Sequence, residues 1–114
     1  MSDHLVESYD KQLELINSNL VKMGGLVEQQ VKDSLKALDE KDTEFAEEIL
    51  KKDDKIDNLE KDIYALAYKI IAMRQPMAND LRTVVSALSI ANDLERMGDH
   101  ATNVAKRVAN VKVA

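Results

Sequence analysis

The sequence predicts an all-α fold, an up-down-up antiparallel bundle of three long helices, and three observations predict it. Apolar residues recur at steps of three and four along nearly the whole chain. Helix breakers are scarce, with three glycines and one proline in 114 residues, and the aromatics that strands favour make up only 4%. The pattern falters at two places only, around 39–42 and 74–76, leaving three runs of about 30 residues joined by connections so short that neighbouring helices must run antiparallel. A chain of 114 residues holds one modest core, so 1–114 is expected to be a single domain.

The first helix is expected over 3–39. Leu5, Tyr9, Leu13, Ile16, Leu20, Met23, Val27, Val31, Leu35 and Leu38 share one face of it. Gly24 and Gly25 fall in its middle, where each costs about 1 kcal/mol against alanine, so a bend or a close helix contact is expected there. Four charged residues, Asp39 to Asp42, end the stripe. Asp42, Thr43 and Glu44 then offer a cap and an acidic first turn for a second helix over 42–74. Phe45, Ile49, Ile56, Leu59, Ile63, Leu66, Ile70 and Met73 carry the second stripe. Pro76 disfavours helical geometry in the residue before it and suits the first turn of a third helix over 77–111. On that helix Leu81, Val84, Leu88, Ala91, Leu94, Gly98, Ala101, Ala105 and Val108 form a buried side made largely of small residues.

Composition removes several function classes. A net charge of −5 repels nucleic-acid backbones and anionic lipid. The absence of cysteine removes disulfides, thiolate metal sites and thiol nucleophiles together. No window approaches the roughly 18 apolar residues of a membrane span, and the charged N-terminus does not read as a signal peptide, so a cytoplasmic protein is expected.

The chemistry lies in acidic residues beside the stripes. Asp53 and Asp57 stand four apart on the second helix, with Glu60 a turn further on, and Glu95 and Asp99 repeat the spacing on the third. Asp57 lies about 18 residues before the turn at Gln75 and Pro76, and Glu95 about 19 after it, so the two sit at matching heights across the hairpin. Asp53 and Asp99 match likewise. Four converging carboxylates repel unless protonated or neutralised by a cation, and oxygen ligands suit iron, manganese, magnesium or calcium. Glu95 also interrupts the small-residue stripe, and a carboxylate at a buried edge needs a partner. His100 and Asn103 stand close enough to join or orient such a shell, though a histidine among charged residues is more often a surface group. The alternative is that acidic pairs at helical spacing are solvated surface charge, met by Lys52, Lys55, Lys61 and Arg96.

Arg74, Asp80 and Arg82 surround the proline connection. Asp80 can cap the third helix, and the arginines can pair with it or reach the last carbonyls of the preceding helix. A rigid tip presenting two arginines is alternatively a docking surface for an acidic partner.

The run Arg74-Gln75-Pro76-Met77-Ala78-Asn79-Asp80-Leu81-Arg82, followed by Asp93-Leu94-Glu95-Arg96-Met97-Gly98-Asp99-His100-Ala101, resembles the signature of the PhoU family, regulators of the bacterial phosphate-specific transporter. The resemblance extends over the whole chain. It implies a three-helix repeat, normally present twice, with acidic motifs on helices two and three that hold multinuclear metal clusters. On this sequence those positions are Asp53, Asp57, Glu95 and Asp99, with Glu60, His100 and Asn103 as outer candidates. The expected cofactor is a metal ion or multinuclear cluster, iron and zinc being candidate ions. The resemblance further implies a negative regulator linking the transporter's ATPase to a sensor histidine kinase, reaching the inner membrane through those partners.

Family members run to about twice this length, so either two chains pair as a homodimer or the sequence is half of a longer one. A ferritin-like di-iron oxidase is disfavoured, because neither His4 nor His100 has a glutamate three positions before it. With no phosphate-binding glycine loop and no nucleophile beside a base, a non-enzymatic role is expected. A metal-free helical adaptor acting by partner-helix packing is the second reading.

Overall fold

The computed structural model describes residues 2–111, with side chains from Ser8 onward, and those residues are helical in four segments: α1 (Ser2–Glu40), α2 (Thr43–Lys52), α3 (Asp54–Arg74) and α4 (Ala78–Ala109). The side chains of His4 and Leu5 lie outside the described residues. The molecule is a rod of 68 × 20 × 17 Å.

The α1–α2 connection follows from local hydrogen bonding. Asp42 N–H donates to Ala37 O at 2.9 Å and Lys41 N–H to Leu38 O at 3.3 Å, the double closure that ends a helix when the residue after its cap turns left-handed. Lys41 takes that position with φ 55°, where glycine is the ordinary choice. Asp42 then caps α2 by accepting from Phe45 N–H at 3.0 Å.

The helix expected over 42–74 is interrupted at Asp53. Its dihedrals stay right-handed (φ −61°, ψ −30°). Its N–H, however, reaches only Leu50 O, three residues back, at 3.5 Å, so the ladder breaks for one residue while the chain keeps its direction. The third helix also differs from expectation at both ends, beginning at Ala78 and closing at Ala109. Pro76 precedes it instead of occupying its first turn. Met77 is the extended N-cap residue and makes no side-chain cap bond, so Asp80 is not the cap. It sits in the first turn, where a negative charge favours the helix N-terminus. Gln75 (φ 46°) and Ala78 (φ 43°) are both left-handed around the proline.

Three core clusters lie along the rod. Ile16 packs with Ala67, Ile70, Val84 and Ala87; Met23 and Val27 with Ile56, Ile63 and Ala91; Ala37 with Ala46, Ile49, Ala105 and Val108. As residue numbers rise in α1 they fall through α3 into α2 and rise again in α4. Complete burial of a side chain such as Ile63 contributes roughly 1.5–3 kcal/mol. The small residues of α4 let the helices approach. A Cβ on Gly98 would meet Ile56 at 3.5 Å and Val27 at 3.8 Å.

Four expected core positions are exposed instead: Leu35, Leu38, Met73 and Leu81. In α1 the cause is a change of residue type. The buried positions Ile16, Met23, Val27, Gln30, Ser34 and Ala37 keep the three-and-four spacing past Val27, but two of them are polar. The apolar stripe drifts one residue off and leads outward. Met73 and Leu81 flank the α3–α4 turn, beyond the last core cluster. Gly24 and Gly25 lie within an unbroken helix, and a Cβ at either would meet nothing within 4 Å, so no close contact requires them.

Candidate metal centre

Helical spacing carries acidic side chains from two elements to one edge of the rod. Asp53, at the α2–α3 junction, Asp57 on α3 and Asp99 on α4 each offer a carboxylate oxygen, and these oxygens lie within 4.8 Å of one another. The matched heights on either side of the hairpin bring them together.

Glu95 stands beside this group, one turn before Asp99. Its carboxyl is pushed up to about 8. Burial is the first cause, followed by the Asp57 carboxyl, through its hydrogen-bonding reach and its charge, and then by Asp99 and Glu60. Its Oε2 is buried without a hydrogen-bond partner. Glu60 is also raised, by burial first and then by the charges of Asp57 and Asp99. Tyr64 lies near Glu60 and Glu95. Burial and then the Glu60 charge raise its phenol, and its ring meets Tyr68 edge-on with centroids 6.1 Å apart.

The lysines and arginine that the alternative reading would pair with the acids do not meet them. Among the described residues the one ion pair joins Lys32 to Glu28 on α1, at 3.1 Å, and no basic side chain bridges to Asp53, Asp57, Glu60, Glu95 or Asp99. An all-oxygen donor set with an orphaned carboxylate oxygen fits a hard cation.

A polar layer beneath the acids was missed by sequence reasoning. Gln30, buried on α1, places the two donors of Nε2 among three acceptors, Asp53 Oδ1 at 3.1 Å, Gly98 O at 3.1 Å and Thr102 Oγ1 at 2.8 Å. The Thr102 hydroxyl lies 2.9 Å from both Asp53 Oδ1 and Gly98 O, either of which can accept its proton. The signal was available, because the three-and-four spacing from Ile16 lands on Gln30.

Of the outer candidates Glu60 joins the acidic edge, whereas His100 and Asn103 go elsewhere. His100 lines an apolar groove between α1 and α4 with Val31, Leu35, Met97 and Val104, and Asn103 is exposed on α4. The turn residues also separate. Arg74 crosses to α1, donating through Nε to Gln12 Oε1 at 3.2 Å and through Nη2 to Ser8 Oγ at 3.1 Å, with its guanidinium 5.9 Å from the Tyr9 ring centroid. Asp80 faces the same end, where burial and then the Asp80 charge raise the Tyr9 phenol. Arg82 is exposed. Among the described residues no helix is long and apolar enough to cross a membrane.

Comparison with known proteins agrees with this architecture. The family model described as the PhoU domain matches residues 20–108. The phosphate-specific transport system accessory protein PhoU homolog of Caulobacter vibrioides is 41% identical over 107 residues, covering 94% of this chain and 46% of that protein. The same-named protein of Clostridium acetobutylicum is 43% identical over 101 residues, covering 88% and 46%. The crystal structure of PhoU from Pseudomonas aeruginosa superposes with a TM-score of 0.85 at 42% identity, covering 89% of this chain and 48% of that one. The chain spans about half the length of the relatives it matches. On the extent and identity of these matches, the chain belongs to the PhoU family.

Proposed function

We propose that this chain is an up-down-up, antiparallel three-helix PhoU repeat that acts without catalysis, as a negative regulator of phosphate uptake and of the phosphate-starvation response. In this reading it is a cytoplasmic adaptor between the ATPase of a phosphate transporter and a sensor histidine kinase, reaching the membrane through them. The family relationship supports the setting, since the relatives are named as accessory proteins of a phosphate-specific transport system. The observation that carries the chemical part is the approach of oxygens from Asp53, Asp57 and Asp99 to within 4.8 Å with no basic partner among the described residues.

Asp53, Asp57 and Asp99 would hold a metal ion or a multinuclear cluster, iron and zinc among the candidates, with Glu95 and Glu60 at its rim. A bound cation neutralises the mutual repulsion and draws the α2–α3 junction against α4. Glu95 then serves two states, favouring its proton without the ion and facing the ion when it is bound.

The test uses a bacterium deleted for its own PhoU gene and carrying an alkaline phosphatase reporter. The chain, expressed alone and as a tandem fusion, is expected to keep the reporter off when phosphate is plentiful and to co-purify with the transporter ATPase. A reporter left fully on by both forms would contradict the regulatory reading. Asp57→Asn with Glu95→Gln separates the metal-dependent adaptor from a metal-free one, which keeps regulation in the double variant.

The second reading has its own observation. Leu35 and Met97, each about half exposed, flank the apolar groove between α1 and α4, a surface suited to another helical unit. A homodimer through this groove would supply the second three-helix unit that the longer relatives have room for. A light-scattering mass of one chain across micromolar to millimolar concentration would contradict it.

A further inference from the structure

The acidic site rests on a buried polar layer that faces the core instead of the solvent. Gln30 is 6% exposed, Thr102 6%, and both engage Asp53 Oδ1 from beneath, at 3.1 and 2.9 Å. Asp53 is the residue at which the helix ladder between α2 and α3 breaks, its own N–H making only a long bond of 3.5 Å to Leu50 O. An aspartate has two rotatable side-chain bonds. With one oxygen within hydrogen-bonding reach of donors from α1 and α4, the carboxylate is favoured in the orientation that faces Asp57 and Asp99.

Gln30 has no other evident reason to be inside. At that position an apolar residue would continue the stripe between Val27 and Ala37 without the desolvation of an amide. The two amide N–H donors instead have three acceptors within reach, one carboxylate, one backbone carbonyl and one hydroxyl, and so join α1, the α2–α3 junction and α4 in a single network.

We propose that Gln30 and Thr102 are positioning residues for the cation site: they orient Asp53 from the core side, so that cation affinity depends on two side chains that do not touch the ion. The inference rests on the metal reading above and assigns these two residues a role within it. Partners of this kind set ligand orientation, and their loss lowers metal affinity by roughly 10–100-fold.

The test is Mn2+ titration calorimetry on the full chain, with helicity followed by circular dichroism. Gln30→Met and Thr102→Val are expected to weaken Mn2+ binding by about tenfold or more, while Thr102→Ser, which keeps the hydroxyl, retains the wild-type affinity. That rescue distinguishes orientation of Asp53 from mere packing, because serine fills the site worse than valine. If Gln30→Met does not fold, the threonine pair alone decides. Wild-type binding with unchanged affinity in Thr102→Val would overturn the positioning role and leave the metal site standing. No Mn2+ binding by the wild type would overturn both.

Discussion

Glu95 of α4 is held against Asp57 of α3 with its Oε2 buried and unpartnered, two carboxyl groups from neighbouring helices brought together at one edge of the rod. The Glu95 carboxyl is raised from its ordinary 4.5 to about 8, so the folded state binds a proton that the unfolded chain has released. Stability from this group is therefore complete below 4.5 and is lost as pH rises toward about 8. Without divalent cations the melting temperature is expected to fall across that window, and added Mn2+ to restore it. Thermal melts with chelator and with Mn2+ across the window check this; a chelated protein that gains stability there would contradict it.

Glu95→Gln removes the ionisable group and keeps its shape. In chelator at a pH above the window, the variant is expected to be more stable than wild type by about 1 kcal/mol after allowance for solvent screening. In saturating Mn2+ the order should reverse. Urea unfolding under both conditions measures the crossing, and parallel curves would show that Glu95 does not face the ion.

How far the sequence foretells these features depends on residue type. The stripes are legible wherever buried positions are apolar, as at Ile16, Met23 and Val27 or Ile56, Ile63 and Ile70. They mislead where the buried position is polar, because Leu35 and Leu38 attract the eye while Gln30 and Ser34 go inside. The approach of Asp57 to Glu95 and of Asp53 to Asp99 is legible because helix rise fixes height on either side of a tight turn. The side of the bundle that His100 takes is not. Residues 95, 99 and 100 are neighbours in sequence, yet one helical step of about 100° carries His100 to the α1 groove. Nor does spacing show the break at Asp53, which depends on a hydrogen-bond ladder.

Arg74 ties the α3–α4 turn to the start of α1, whereas Arg82 is exposed two residues after Asp80. Arg74→Met is expected to destabilise by about 1–3 kcal/mol through loss of the bonds to Ser8 and Gln12, and Arg82→Ala by less than about 0.5 kcal/mol. Chemical denaturation of the two variants compares them directly. Equal losses would mean that the crossing to α1 contributes nothing.

Backbone conformation gives two opposed substitutions, one within α1 and one in the turn that follows it. Gly24→Ala places a methyl in open space within a helix and is expected to stabilise by about 1 kcal/mol. Lys41→Gly relieves a left-handed residue at φ 55° and is expected to stabilise by up to about 1 kcal/mol, although glycine weakens helices elsewhere. Equilibrium unfolding of each checks the sign. Destabilisation by Gly24→Ala would show that the glycine face is covered by another unit in solution.

In the function proposed above, the acidic edge between α3 and α4 is a cation site. Diffraction from crystals grown with Mn2+, recorded on both sides of the manganese absorption edge, tests it most directly. An anomalous peak bounded by oxygens of Asp53, Asp57 and Asp99, with Glu95 turned toward it, is the expected outcome. An edge without a peak, its carboxylates spread into solvent or paired with Lys52, Lys55 or Lys61, would contradict it.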